Sequence, residues 1–279
     1  MRKGLFLVAA LAVLAGTAGA ASASEERWVV VYTEKPSVAE FRDYGLVVLD
    51  SVHHPPIRPL LEQKKTVIGY ISLGEVENYR DYYKAVEAEG ILYGRIPTGP
   101  TAATSTCAMR AGRGASWKTW CRGCCARASK IFIDTLDNPA ELERRDPAKF
   151  KGMTEAAARL VEAIRRHYPR MYIMLNRSYE ILPAVEGQID AVLGESVFTE
   201  IDFEKKGYRL ADAKTYQLQV KWLKEAKARR PALKVYTLDY WPPTDAAGVA
   251  RIYAEQRKNG FIPYVSVKDL DRVLKEPAR

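Results

Sequence analysis

The stretch KIFIDTLDNP, Lys130 to Pro139, decides how the chain is read. Ile131, Phe132 and Ile133 are β-branched or aromatic and too few for a helix. They end abruptly in Asp134, Thr135, Asp137 and Asn138. A short apolar run that stops in acidic and amide groups predicts a buried strand of a parallel sheet, with its C-terminal end opening onto a site. In a parallel barrel that end carries the chemistry, so Asp134 falls where a functional carboxylate belongs. Asp137, Asn138 and Pro139 have a plainer reading as the turn into a following helix.

Working outward, similar runs recur in order. WVVVY (Trp28–Tyr32), LVVLD (Leu46–Asp50) and TVIGYIS (Thr66–Ser72) precede the stretch. Met171–Leu175, Ile189–Leu193, Lys234–Leu238 and Phe261–Val265 follow it. Between them lie helical patterns, among them 36–44, Met153–Tyr168, Ala213–Arg230 and Asp245–Asn259, the last closed by Gly260, a good C-cap residue. Eight strands alternating with helices, with no repeat and no linker, predict an α/β fold of a single (β/α)8 barrel over residues 24–279.

Residues 1–23 carry Arg2 and Lys3, an apolar run from Gly4 to about Ala15 and a small-residue site ending at Ala23. This is the pattern of a secretory signal peptide, too short to span a bilayer. The expected product is a secreted or periplasmic chain with no membrane span.

The formal charge of +9 suggests a nucleic-acid partner until its origin is located. Arg2 and Lys3 leave with the leader. Arg95, Arg110, Arg113, Lys118, Arg122, Arg127 and Lys130 occupy a window without any Asp or Glu. These nine residues account for the whole excess, so no nucleic-acid partner is expected.

That window, 95–129, also holds Cys107, Cys121, Cys124 and Cys125. Disulfides or a CxxCC metal site are conceivable, but no histidine lies nearby and no periodicity supports a helix or strand. Out-of-frame translation accounts for it better. Reading the third base of each codon with the first two of the next, Trp117-Lys118 forces Glu, Trp120-Cys121 forces Val and Cys124-Cys125 forces Leu. The shifted text can read LEDLVPRLLRAGFK, an amphipathic helix leading into KIFID, preceded by an aromatic, acidic loop. A compensated frameshift is therefore expected, and the chain as written could be an inactive product of such a gene.

The strand ends supply Tyr32, Asp50, Glu75, Asp134, Asn176, Glu195 and Asp239, with the aromatics Tyr70, Tyr179, Tyr240 and Trp241 nearby. There is no Cys–His pair, nucleophile elbow, phosphate loop or histidine cluster, and no cofactor or metal is implied. His53 and His54 beside Pro55 and Pro56 are better taken as loop residues than as ligands. Each strand-end acid has an ordinary alternative as a helix N-cap. Together, carboxylates and aromatic platforms fit glycoside hydrolysis, and crowding raises some carboxyl pKa values as a general acid requires. So acidic a mouth suits a cationic sugar. A non-catalytic carbohydrate-binding barrel is the alternative.

VIGYISLGEVENYR (Val67–Arg80), KIFIDTLDNP, LNRSYEIL (Leu175–Leu182), AVLGESVF (Ala191–Phe198) and YTLDYWPP (Tyr236–Pro243) resemble glycoside hydrolase family 114. These are endo-α-1,4-polygalactosaminidase-like barrels related to the hydrolase domain of Pel polysaccharide systems and to fungal spherulin-4-like enzymes. The resemblance implies a secreted endo-hydrolase of galactosamine-containing polysaccharide. It makes Asp134 the nucleophile or electrostatic base and Glu195 the general acid, with the roles exchangeable. Glu75, Asp137, Asn176, Asp239 and Tyr240 would hold the sugar, with Tyr32, Asp50, Tyr70, Asn138 and Tyr179 completing the substrate site. Residues 95–129 depart from the family, which there has a Trp-Pro loop, an acidic segment and a helix.

Overall fold

A computed structural model describes residues 27–78, 83–88, 90, 92–97, 103–107 and 129–277. Residues 1–26, where the signal peptide is expected, and most of the cysteine-rich window lie outside these residues. Eight strands hydrogen-bond in sequence order: β1 (Trp28–Val31), β2 (Leu46–Leu49), β3 (Thr66–Ser72), β4 (Lys130–Asp134), β5 (Tyr172–Asn176), β6 (Ala191–Glu195), β7 (Lys234–Tyr240) and β8 (Ile262–Ser266). Every neighbouring pair is parallel. The seam between β8 and β1 is bridged rather than laddered among the described residues. Trp28 Nε1 donates to Ile262 O at 2.9 Å, and Tyr32 N donates to Leu270 O at 2.9 Å. The architecture is the (β/α)8 barrel predicted.

Strand residues alternate between two environments because successive side chains point to opposite faces. Ile131, Ile133, Ile173, Leu175, Val192 and Val235 pack with Ala157, Val161 and Ile164 of the helix Met153–His167 and with Leu223 and Ala226 of the helix Ala213–Arg229. Phe132, Met174, Leu193, Leu238 and Tyr264, the alternate positions, fall in a second buried cluster inside the barrel. Both faces are covered, as a parallel sheet requires.

The helix expected over 36–44 is a single 3-10 turn, Val38–Phe41. The three long helices stand where the sequence puts them. Asp212 caps the helix Ala213–Arg229 through Lys214 N, and Asp245 caps Ala246–Lys258 through Gly248 N. Gly260 takes a φ of +81° behind the latter, a left-handed turn that glycine makes at little cost. A hairpin that the sequence pattern does not predict, Thr199–Asp202 with Gly207–Leu210, follows β6.

Within the cysteine-rich window the expectation of neither helix nor strand is corrected. Leu92–Pro97 and Ala103–Cys107 pair antiparallel, and Ala103–Cys107 also pairs with Glu75–Glu77, giving a three-stranded sheet beside the end of β3. The register shifts between Tyr93 and Arg95, where Gly94 allows a bulge. Residues 108–128, with three of the four cysteines, lie outside the described residues. The frameshift expectation finds no support in the part that is described.

Candidate active site

The inward-facing parity set by Phe132, Met174 and Leu193 carries to the C-terminal strand ends. Register places Tyr70 beside Phe132, Ser72 beside Asp134, Asn176 beside Leu193 and Leu238 beside Glu195. Tyr32, Asp50, Tyr70, Asp134, Asn176, Glu195 and Tyr240 therefore share one mouth.

Asn176 is its centre. Its single Nδ2 donates to Asp134 Oδ1 at 2.8 Å and to Glu195 Oε2 at 2.7 Å. Two bonds meeting at one nitrogen keep those carboxylate oxygens within about 5.5 Å of each other. Asp134 also accepts from Tyr70 Oη on Oδ2 at 2.9 Å and from Thr135 N on Oδ1 at 2.8 Å. Glu195 Oε1 accepts a short bond from the Tyr240 hydroxyl. Tyr32 packs its ring on Tyr70, with centroids 4.7 Å apart.

Burial, and then the neighbouring Glu195, push the Asp134 carboxyl up to about 7, against the opposing pull of the Asn176 and Tyr70 donors. Asp134 therefore exchanges its proton near neutral pH. Burial and the same two carboxylates drive the Tyr32 hydroxyl well above its usual value, and burial with Glu195 does so for Tyr240. Both phenols stay protonated, and Tyr240 donates to Glu195.

The backbone behind these groups is strained. Thr135 (φ +66°), Arg177 (+45°), Ser178 (+48°) and Ser196 (+53°) directly follow Asp134, Asn176 and Glu195. Left-handed conformations are costly for such residues, about 1–3 kcal/mol each, and cluster at functional sites. Thr135 is held by its hydroxyl, which donates to Asp134 O at 2.7 Å and accepts from Gly74 N at 2.8 Å. Gly74 is obligatory, since a Cβ there would sit 1.9 Å from Thr135 O. Sequence reasoning misses this strut behind Asp134, because nothing local in LGEV announces a backbone contact with a distant strand.

The remaining predicted residues divide. Glu75 and Asn138 meet, Asn138 Nδ2 donating to Glu75 Oε1 at 2.6 Å. Asp50 lies in the mouth, but its Oδ1 accepts from Val52 N and His53 N, both at 2.8 Å. Asp137 occupies the N-cap position of the helix Asn138–Arg145 without a capping bond, and faces Arg177 Nε at 3.9 Å. Tyr179 lines a neighbouring cleft and donates to Gln219 Oε1 at 3.0 Å.

Asp239 is corrected. It is fully buried on the opposite face of β7, where Oδ1 accepts from Phe198 N and Thr199 N and Oδ2 from Gln256 Nε2. It anchors the hairpin and the helix Ala246–Lys258 to the barrel and has no part in the mouth. The reason is parity, since Asp239 and Tyr240 are adjacent on one strand and only one can face inward. Trp241 likewise turns away, its Nε1 donating to Asp245 Oδ2 at 2.9 Å.

Among the described residues no group of His, Cys, Asp and Glu is arranged to hold a metal. Among them no helix is long and apolar enough to cross a membrane.

Comparison with known proteins places this geometry. The glycoside hydrolase domain of PelA from Pseudomonas aeruginosa superposes with a TM-score of 0.72 at 24% identity, over 88% of this chain and 96% of that one. A variant of that domain gives 0.69 at 25% identity, with the same coverages. Aspergillus fumigatus Ega3, in complex with galactosamine, gives 0.64 at 14% identity, over 93% and 98%. No curated protein matches the chain in sequence. The sequence pattern of Glycoside-hydrolase family GH114 matches residues 10–278, nearly the whole chain. With that match over a barrel whose mouth joins two carboxylates, the chain belongs to glycoside-hydrolase family GH114 and is a glycosidase.

Proposed function

We propose that this protein is an exported endo-glycosidase that cleaves α-1,4-linked galactosamine-containing polysaccharide with retention of configuration. One observation carries the proposal: Asp134 and Glu195 share the Asn176 amide, which holds their nearest oxygens within about 5.5 Å. Retaining glycosidases keep their carboxyl groups about 5–5.5 Å apart and inverting ones about 6.5–9.5 Å, and one amide bridging both acids favours the closer arrangement.

Three donors aimed at Asp134 offset part of the cost that burial and Glu195 place on its charge, and with the proton of the pair on Glu195 the ionised Asp134 attacks the anomeric carbon. As the new C–O bond forms, the glycosidic bond breaks and Glu195 passes its proton to the leaving oxygen. Glu195 then takes a proton from water, whose oxygen attacks the same carbon and releases Asp134. Tyr240 orients Glu195 throughout, and Tyr70 and Asn176 stabilise Asp134 when it leaves.

An amino sugar as substrate is supported by the carboxylates Asp50, Glu75 and Asp137 around the pair, which favour a cationic ring. The galactosamine bound in the Ega3 structure and the likeness to the PelA domain agree with that choice. Residues 1–23 are taken as the export signal, and the polymer as the partner.

The test is release of reducing ends from an α-1,4-galactosamine polymer. Wild type is expected to release them and Asp134→Asn to be inactive, while full activity of that variant would refute the assignment. Proton NMR of the first product distinguishes retention from inversion.

A further inference from the structure

Beside the mouth lies a cleft of about 220 Å³ lined by residues of three chain segments. Asp137, Arg177 and Tyr179 come from the ends of β4 and β5, and Leu218, Gln219 and Trp222 from one face of the helix Ala213–Arg229. Tyr179 and Trp222 set their rings 5.0 Å apart at 37°. Leu218 next to them is 44% exposed, an apolar side chain left open to solvent. Pockets for whole drug-sized ligands run from about 300 Å³ upward, so this one suits a single sugar ring.

The cleft adjoins the mouth along the chain, though none of the mouth residues lines it. Arg177 and Tyr179 follow Asn176 on the same strand end, and Asp137 follows Asp134 by three residues. The Tyr179 hydroxyl donates to Gln219 Oε1 at 3.0 Å, and Gln219 Nε2 donates to Ser196 O at 3.0 Å, one residue beyond Glu195. A ring in the cleft would thus lie within a few residues of the strand ends that carry the reacting pair.

The chemistry of the lining selects the occupant. An aromatic face beside a carboxylate is the pairing that holds a cationic, ring-shaped group, by stacking and by cation–π attraction. Arg177 supplies a cation to the lining, and at 3.9 Å its ion pair with Asp137 is loose and half exposed. Glu180 adds a second acid to the lining. We propose that this cleft is an outlying subsite for an amino-sugar unit of the same polymer, with Trp222 as its platform and Asp137 as the partner of the ammonium group. This inference rests on the function proposed above and adds the residues that let the enzyme hold a chain internally, as endo-cleavage requires.

The experiment compares Trp222→Leu, which keeps an apolar side chain but no ring, with Trp222→Phe, which keeps a ring. On α-1,4-galactosamine polymer the Leu variant is expected to raise KM by roughly 2- to 30-fold, the range of a lost cation–π contact. The loss should fall on KM more than on kcat, and the Phe variant should recover part of it. In the Asp134→Asn background, oligosaccharide binding should quench tryptophan fluorescence, and Trp222→Phe should remove most of that quenching. An active wild type with a kinetically identical Leu variant, equal losses in Leu and Phe, or quenching that survives Trp222→Phe would overturn the subsite. A wild type that neither binds nor cleaves the polymer would overturn the functional reading itself.

Discussion

Asp134→Asn should abolish activity and also stabilise the protein, in a manner that depends on pH. The carboxyl titrates at about 7 in the fold, against an ordinary value of 3.8, because burial and Glu195 disfavour its charge. Between those values the folded protein binds a proton that the unfolded chain has released. Wild-type stability therefore falls as pH rises from about 4 to 7 and stays reduced above. At about 1.4 kcal/mol per pH unit the ceiling is roughly 4 kcal/mol. The Asp134→Asn substitution removes that charge while keeping the shape. The new carbonyl could still accept from Asn176 and Thr135, and the Tyr70 hydroxyl could rotate to accept from the new amide. Because the proton belongs to an interacting pair of carboxyls, about 2 kcal/mol, half the ceiling, is expected at pH 8. For a domain of this size that corresponds to a Tm higher by about 4–8 °C. Calorimetry at pH 8 and pH 4 measures it, and the two proteins should converge at pH 4. A variant less stable at pH 8, or a gap equal at both pH values, would refute the reasoning.

Asn176→Ala removes one donor from both carboxylates, each bond being charge-assisted and worth about 1.5–3 kcal/mol. With water replacing part of the loss, kcat should fall by roughly 10²- to 10³-fold. The acid limb of kcat/KM should move to higher pH, since a lost donor disfavours the ionised form; a shift toward lower pH would contradict the bridge. Asp239→Ala strands two backbone amides and Gln256 in the core, each unpaired group costing about 1–3 kcal/mol. Its Tm should drop by about 10 °C, while the pH profile of any remaining activity stays unaltered. Gly74→Ala drives a Cβ to 1.9 Å from Thr135 O, so the strut behind Asp134 has to shift. Because the clash is with backbone, the cost should reach or exceed the roughly 1–3 kcal/mol of ordinary overpacking, and kcat should fall along with Tm; unchanged kcat would show that the strut does not position Asp134.

The barrel and most of its mouth are legible in the sequence because they rest on short-range patterns. Short, mainly apolar runs of about three to seven residues, each stopped by a polar group, name a buried parallel strand and its open end wherever they occur. Asp134, Asn176 and Glu195 follow from that, and the family motifs tie them to glycoside hydrolysis. What the sequence leaves open are matters of facing and distance. Asp239 reads like Asp134, a carboxylate behind an apolar run, yet strand parity sends it to the helix layer. The bridge from Asn176 to both acids, the contact of Gly74 with Thr135 and the cleft between Tyr179 and Trp222 join residues 19 to 61 positions apart. Composition and alternation determine what a strand buries and where it ends. Only the closed barrel, by fixing register and curvature, decides which ends meet and which two carboxylates share one amide.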